Sequence, residues 1–340
     1  MGGKALKNTF TRRYNRNEYE QLVDEVCSKF SEPVMATPVP YYRTKTSFGD
    51  MDLVVLCPPE YNLTAAVKEL FAPSELVRNG EVTSFDYRAF QIDLIRFSDR
   101  KVAEFALRYF AYNDLGNFIG RTAHRLGFKF GHDGLWYMFR DPDCETRLIS
   151  ELLITTDFRK ALEFLGFDYV THARGFNTPV EVFDYATTSE YFDPAQFNLS
   201  NRSCEARRRD RTRAMYQDML LFLNKKYGLT GTEQTTPVNR EEHLARAFEH
   251  FPEFKAEYDS AKKRYEVVKK YKANFNGDNY TTWFGLEGEA LGQLMASHRT
   301  YFTQHNLMEW IGSLSSDAFR DVVLALELHQ VFDHELQTQR

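Results

Sequence analysis

The chain has 340 residues, 43% of them hydrophobic and 15% aromatic, and its formal net charge is −5. This length predicts two or three domains with real cores, and the acidic balance excludes a global positive field that would attract nucleic acid. The sequence has neither a membrane-span-length apolar run nor an N-terminal signal region, so a soluble, cytoplasmic protein without a membrane partner is expected. Four cysteines without C-x-x-C spacing fit a reducing compartment rather than a zinc site or a disulfide scaffold: Cys27, Cys57, Cys144 and Cys204.

The N-terminal segment is polar and basic over residues 1–16. It is predicted to form a flexible tail, and the alternative is an arm that contacts phosphate. Asn17 is expected to cap a helix over about 18–30, and a short strand is expected at 34–37. A loop over 38–47 then leads to the most informative stretch of the sequence.

That stretch contains two aspartates separated by one apolar residue, Asp50 and Asp52, followed by β-forming residues. Side chains alternate along a strand, so both carboxylates share one face. Like charges this close repel unless a cation lies between them, and Mg²⁺ prefers oxygen ligands of this kind. A second alternating strand over residues 90–95 directs Asp93 outward. The three aspartates are therefore predicted to form a metal site on neighbouring strands.

The surrounding elements can also be predicted. Residues 62–72 are expected to form a helix, and residues 78–81 a turn before a β-hairpin that ends in the Asp93 strand. The resulting order is helix, strand, loop, carboxylate strand, hairpin and carboxylate strand.

The motif Arg43-x5-Gly49-Asp50-Met51-Asp52 resembles the nucleotidyltransferase signature of the family X DNA polymerases, the DNA polymerase beta group. A second run resembles that family's Tyr-Phe-Thr-Gly-Ser-x3-Asn-x3-Arg pattern through Tyr109, Phe110, Asn113, Asn117 and Arg121. The resemblance extends over about residues 17–170, covering a palm and a thumb region.

The resemblance implies roles for individual residues. Arg43 and Gly49 would face the triphosphate. Lys45 and the hydroxyls of Tyr41 and Tyr42 are the candidate substitutes for the family's phosphate-holding groups. Tyr109 would lie near the sugar 2′ position above Phe110. Asn117 would contact the base of the incoming nucleotide, and Arg121 would reach the template strand. Independently, the i+4 spacing of Asn113, Asn117 and Arg121 predicts that they share one helix face.

The resemblance also implies a cofactor and partners. Asp50 and Asp52 would hold two Mg²⁺ ions about 3.5–4 Å apart, with Mn²⁺ able to substitute. Asp93 would bind the catalytic ion and help to activate the 3′ hydroxyl. The partners would be a nucleoside triphosphate and a nucleic acid, with DNA favoured over RNA.

The chain departs from the family pattern at two places. Val39-Pro40 stands where the family has a phosphate-holding Gly-Ser, and Pro40 has no N–H to donate. Tyr112-Asn113 replaces the second Gly-Ser, at a turn where glycine would permit an unusual backbone conformation.

Helical patterns run from about residue 196 to the end of the chain. Six arginines lie between residues 202 and 213, and three of them are expected to contact nucleic-acid phosphates: Arg207, Arg208 and Arg211. The alternative is a solvated face or one paired with nearby acidic side chains such as Asp210.

The predicted fold is α+β: a tail (1–16), a nucleotidyltransferase palm with a mixed β-sheet (17–100), a thumb-like region (101–195) and a helical C-terminal domain (196–340). The expected function is metal-dependent addition of nucleotides to a nucleic-acid 3′ end by a family X-like DNA polymerase. One alternative is an RNA 3′-end nucleotidyltransferase of the CCA- or poly(A)-adding type, because residues 286–295 faintly resemble a tail motif of tRNA CCA-adding enzymes. The other is a non-catalytic nucleic-acid-binding protein on a retired palm.

Overall fold

Seven of the ten described strands lie in the first third of the chain in this computed structural model, which describes residues 5–338, with side chains as far as residue 327. The described strands are Tyr14–Asn15 (β1), Met35–Pro38 (β2), Ser47–Phe48 (β3), Asp50–Leu56 (β4), Leu76–Asn79 (β5), Val82–Tyr87 (β6), Phe90–Phe97 (β7), Phe128–Gly131 (β8), Gly134–Asp141 (β9) and Cys144–Thr155 (β10).

The described α-helices are Arg16–Ser28 (α1), Leu63–Phe71 (α2), Arg100–Phe110 (α3), Leu115–Arg125 (α4), Phe158–Phe164 (α5), Tyr169–Arg174 (α6), Pro179–Ala186 (α7), Cys204–Asp210 (α8), Ala214–Tyr227 (α9), Arg240–His250 (α10), Pro252–Asn274 (α11), Gly277–Phe284 (α12), Gly288–Gln304 (α13), Met308–Ser313 (α14) and Ser316–Thr338 (α15). The predicted α+β class with a mixed sheet is therefore confirmed. None of the helices in the described part of the chain combines the length and apolar content that crossing a membrane requires.

The main sheet has five strands in the order β2-β4-β7-β6-β5. β4 and β7 run parallel, and the other neighbouring strands run antiparallel. The β4–β7 register sets Asp50 beside Gln91 and Asp52 beside Asp93. The alternate side chains fill the core together with residues of α1 and α2, among them Met51, Leu53, Ile92, Leu94, Leu22, Val26 and Val67. Burial of these apolar side chains stabilises the two strands that carry the aspartates.

A second sheet is antiparallel, in the order β10-β9-β8. α3 and α4 lie between the two sheets in sequence, and the turn that joins them contains Tyr112 and Asn113. Asn113 therefore precedes α4 instead of lying on it. The prediction of one helix face for three residues is wrong for Asn113, and it holds only for Asn117 and Arg121.

The N-terminal residues are ordered, which contradicts the predicted flexible tail over the described residues 5–16. β1 pairs with β3, and the backbone N–H of Arg12 donates to the carbonyl of Ala89 at 2.9 Å. α1 begins one residue after Asn15, whose side chain accepts from Glu18 N–H in a capping box, so the cap is Asn15 and not Asn17.

The chain divides into two compact units, the first ending at Phe254 and the second beginning at Lys255. The predicted boundaries at 100/101 and 195/196 both lie inside the first unit, because α7 and α9 pack with α4 and the 3₁₀ turn Pro194–Phe197 around Phe118 and Phe197. In the described residues the second unit is helical, with a core of Tyr271, Phe275, Tyr280, Phe302, Ile311, Phe319 and Val323.

Candidate metal centre and substrate cleft

Three carboxylates meet at the start of the two parallel strands. Each of Asp50, Asp52 and Asp93 offers an oxygen atom, and these atoms all lie within 4.8 Å of one another. The parallel register makes Asp52 and Asp93 direct neighbours, and the two-residue period of β4 adds Asp50 on the same face. The predicted cluster of three aspartates is confirmed.

The surroundings of the cluster disfavour negative charge. Burial, and next the neighbouring Asp50 carboxylate, raise the pKa of Asp52. Burial also raises the pKa of Asp93, although hydrogen bonds from Ser84 and Gln91 oppose that shift. Without a cation, part of this cluster is therefore held in the neutral form at higher pH than ordinary aspartates.

Gln91 holds the Asp93 carboxylate in place. Its Nε2 atom donates to Oδ1 at 3.0 Å and to Oδ2 at 2.9 Å, and both side chains are buried. Gln91 was not among the predicted site residues. The same alternation that directs Asp93 outward also directs Gln91 outward. The two-residue period of β7 could therefore have indicated Gln91 as a site residue.

The cluster fits a hard divalent cation. The Oδ1 atom of Asp52 is buried and accepts no hydrogen bond within the part of the chain that the structure describes. An unpaired buried carboxylate oxygen is costly, and two further carboxylates lie within reach of the same point. Oxygen-only ligands of this charge suit Mg²⁺ or Mn²⁺.

A cleft of about 730 Å³ opens beside the cluster. Its wall includes both aspartates of β4 and several predicted nucleotide-binding residues: Asp50, Asp52, Lys45, Gly49, Tyr109, Phe110, Asn113 and Asn117. Arg213, the N-cap of α9, and Ala214, its first residue, also line the cleft. The volume is that of a ligand site for a molecule of nucleotide size.

The two aromatic residues at the end of α3 form part of this wall. Tyr109 and Phe110 contact each other edge-on at 5.4 Å between ring centroids, and His132 stacks on Phe110 at 5.7 Å. Gly116 on α4 lies against Tyr109: a Cβ atom at position 116 would approach the Tyr109 carbonyl oxygen to 2.2 Å. The absence of a side chain at 116 therefore permits this packing.

The turn between α3 and α4 keeps an unusual backbone without glycine. Tyr112 and Asn113 have φ values of 59° and 65°, a region that non-glycine residues rarely adopt. The N–H of Tyr112 donates to the Pro40 carbonyl at 2.9 Å, and the Tyr112 ring packs against His172 and Phe176. The loop before β4 and the aromatic packing thus hold the turn that directs Asn113 to the cleft.

Four basic side chains line the cleft, and only one of them, Lys45, was a predicted site residue. The others are Arg12, Arg13 and Arg213. Lys45 Nζ lies 3.5 Å from Asn113 Oδ1 and 4.8 Å from the centre of the Phe48 ring. Arg213 pairs with Asp114 at 2.5 Å. The basic composition of residues 12–16 could have indicated Arg12 and Arg13 as site residues.

Arg43 lies elsewhere. Its guanidinium donates to the carbonyl of Arg174 at 2.5 Å and to Asn177 Oδ1 at 3.1 Å, and it does not line the cleft. Arg43 stands at the position that the signature motif requires. The direction of its side chain, however, is set by hydrogen bonds to residues that are 131 and 134 positions away in the sequence.

Of the remaining predicted arginines, only Arg121 pairs with Asp210 in the described residues, and the side chain of Asp210 is buried. Arg121 and two arginines outside the predicted set pair with this carboxylate: the distances are 3.8 Å for Arg121, 2.9 Å for Arg202 and 3.2 Å for Arg209. Intramolecular pairing therefore accounts for part of the cluster. Arg207 is half-buried and donates to the Arg202 carbonyl, whereas the other two predicted arginines, Arg208 and Arg211, are exposed.

Comparisons with known proteins give no assignment. No protein-family model matches the chain, and no curated protein matches it at a significant level.

Proposed function

We propose that this chain is a metal-dependent nucleotidyltransferase that adds nucleotides to a nucleic-acid 3′ end, on a palm of the DNA polymerase beta type. The observation that carries the proposal is the group of three carboxylates, Asp50, Asp52 and Asp93, on adjacent parallel strands at the edge of a nucleotide-sized cleft. Phosphoryl transfer depends on the positioning of the reactants and on the stabilisation of negative charge in the transition state. A carboxylate cluster that can hold cations beside a cleft of this size serves both needs.

The chemistry assigned to the chain follows from these contacts. Asp50, Asp52 and Asp93 would hold Mg²⁺, which when bound offsets triphosphate charge and lowers the pKa of the attacking 3′ hydroxyl. Gln91 fixes the orientation of Asp93 through both carboxylate oxygens. Tyr109 and Phe110 bound the cleft beside the expected sugar, and Asn113 and Asn117 supply amide groups to the incoming nucleotide.

The test is primer extension with each NTP and dNTP, on templated and untemplated DNA and RNA, with Mg²⁺ or Mn²⁺. Asp50→Asn and Asp93→Asn should each abolish transfer, because each removes a carboxylate ligand. Both should fold, and their metal-free melting temperatures should hold or rise since repulsion is relieved. Asp24→Asn, an exposed change on α1, is the matched control. Wild-type transfer rates in either triad variant would contradict the proposal.

A second candidate, untemplated addition to an RNA 3′ end, is favoured by one observation. Arg121, the expected contact to a template strand, is largely buried and lies 3.8 Å from Asp210. Extension of a single-stranded RNA primer at a rate independent of any annealed template would select this candidate. Binding of nucleic acid without transfer under every condition would instead favour a retired palm.

A further inference from the structure

The N-terminal arm, defined here as residues 5–13, is held by several hydrogen bonds, among them a group to Glu75, which does not line the cleft. Backbone N–H groups of three consecutive residues, Lys7, Asn8 and Thr9, donate to Glu75 at 3.0, 2.8 and 2.9 Å. Such a set of donors favours the charged carboxylate, and it lowers the pKa of Glu75. Glu75 thus fixes the path of the arm towards the cleft.

The arm ends with Arg13 above Gly49, next to Asp50. Arg13 Nε donates to Ser47 Oγ at 2.8 Å, and Nη2 donates to the Ser47 carbonyl at 3.0 Å. A Cβ atom on residue 49 would lie 2.9 Å from Arg13 Nη1. The glycine that precedes the two aspartates therefore leaves room for this guanidinium.

Arg13 and its neighbour Arg12 differ in whether their guanidinium groups have a carboxylate partner. Arg12 is engaged by Glu18 at 2.8 Å and by the Tyr14 ring at 4.3 Å. Arg13 has no carboxylate partner among residues 5–327, whose side chains the structure describes. The same holds within that range for Lys45, whose pKa is lowered by burial while the neighbouring Asp50 and Asp52 oppose that shift. Two cations without ion pairs thus lie beside the predicted metal site.

We propose that Arg13, delivered by the N-terminal arm, binds the phosphates of the nucleoside triphosphate together with Lys45. The inference rests on the proposed function. Arg13 takes over the phosphate contact for which Val39-Pro40 is unsuited, since Pro40 lacks an N–H, and from which Arg43 is turned away. A guanidinium fork matches phosphate oxygens geometrically. Its fixed anchor on Ser47 reduces the entropy lost on binding.

The experiment measures equilibrium binding of a nucleoside mono-, di- and triphosphate series and of inorganic triphosphate to the full chain with Mg²⁺. Arg13→Gln keeps a donor for Ser47 but removes the charge. It should weaken triphosphate and inorganic triphosphate binding by about 10- to 100-fold and change monophosphate binding little. Arg13→Lys should recover part of the loss. Glu75→Ala should weaken triphosphate binding by releasing the arm, whereas Glu69→Ala, exposed on α2, should not.

The outcomes separate the two proposals. Equal triphosphate affinity in Arg13→Gln and the wild type, with transfer activity present, overturns the arm inference alone. Equal weakening across the whole phosphate series, with a lowered melting temperature, also overturns it by showing a structural role. A wild-type protein that neither binds nor transfers any nucleotide overturns both proposals.

Discussion

At the scale of single residues, the cluster of Asp50, Asp52 and Asp93 is distinguished by the hydrogen bonds that its carboxylate oxygens accept. Gln91 donates to both oxygens of Asp93, whereas Asp52 Oδ1 has no hydrogen-bond donor among the described residues. One carboxylate is thus held rigidly and another presents an unused acceptor. A cation is the simplest partner that satisfies the second without releasing the first.

The pH dependence of stability tests the electrostatics of this centre. Burial raises the pKa of Asp52 and of Asp93, so above the ordinary aspartate pKa of about 4 these two carboxyl groups bind more protons in the folded state than in the unfolded chain. Their contribution to the stability of the metal-free protein therefore falls as the pH rises. We expect the melting temperature of the wild type in EDTA, measured relative to that of Asp52→Asn, to fall between about pH 5 and about pH 8.

Thermal unfolding at constant ionic strength provides the measurement. Asp24→Asn serves as the control and should keep the wild-type slope, because its side chain is exposed. Parallel profiles for Asp52→Asn and the wild type would show that Asp52 ionises normally.

Tyr109 carries a prediction about sugar selection. Tyr109 lines the cleft, and under the proposed function it would lie near the sugar 2′ position. If the protein prefers deoxyribonucleotides, Tyr109→Ala should raise ribonucleotide use relative to deoxyribonucleotide use, because the steric block is lost. Tyr109→Phe keeps the ring and should keep the ratio. The ratio of kcat/KM values for an NTP and its dNTP is the measurement, and an unchanged ratio in Tyr109→Ala would make this residue a packing aromatic only.

At the scale of elements, the cleft depends on close packing between consecutive helices. α3 ends at the aromatic pair, the Tyr112–Asn113 turn reverses the chain, and α4 returns with Gly116 against Tyr109. The hydrogen bond to the Pro40 carbonyl and the packing of the Tyr112 ring against other aromatic rings stabilise this turn and offset its backbone strain. The position of Tyr109 is therefore set by α4 as much as by α3.

A substitution in α4 tests this packing. Gly116→Ala would bring a Cβ atom to 2.2 Å from the Tyr109 carbonyl and 2.9 Å from its ring. We expect a loss of about 1–3 kcal/mol in the free energy of unfolding, measured by urea denaturation. Gly120→Ala on the same helix is the control, since its nearest neighbour is 3.4 Å away; it should be neutral or gain up to about 1 kcal/mol. Equal free energies for both variants would refute the argument.

At the scale of the whole molecule, the net charge of −5 gives no general attraction to polyanions. Attraction must come from local clusters, and the structure distinguishes arginines that are paired internally from those that are exposed. Asp210 engages Arg121, Arg202 and Arg209, whereas Arg208 and Arg211 face solvent.

Nucleic-acid binding should therefore depend on the arginines of the cluster that do not pair with Asp210, of which Arg208 and Arg211 are exposed and Arg207 is half-buried. Replacing Arg207, Arg208 and Arg211 with Ala should weaken binding and flatten its salt dependence, by about 0.7 per lost contact on single strands or about 0.9 on duplex. Chemistry at saturating substrate should survive, because none of the three lines the cleft. Titrations at several salt concentrations provide the slopes.

A double variant and a charge-matched control show whether any change in binding comes from the exposed arginines of the cluster. Arg208→Ala with Arg211→Ala spares Arg207, which also donates to a backbone carbonyl. A control removes the same charge from three exposed residues outside the cluster: Lys68, Arg100 and Lys160. Slopes equal to wild type in the cluster variants would remove it from the substrate path, and the basic stretch from 262 to 272 would be the next candidate.

The sequence by itself was sufficient for the carboxylate strands. Their two-residue alternation, with β-forming residues inward and aspartates outward, predicted β4, β7 and the cluster of Asp50, Asp52 and Asp93, all of which the structure contains. It predicted the α+β class for the same reason. The face of a strand that is buried can be read from neighbouring residues alone, because side chains alternate between faces. A shift of the pairing by one residue would expose every apolar side chain, so the alternation fixes the arrangement.

Only the tertiary structure decided which charged residues reach the cleft and where the units divide. Arg13 enters it because Glu75, more than 60 residues away, anchors the arm, and Arg43 leaves it for Arg174 and Asn177. The boundary after Phe254 likewise depends on packing between distant helices. A long basic side chain has many rotamers of similar energy, so its direction is set by partners brought near by the fold, which no local pattern encodes.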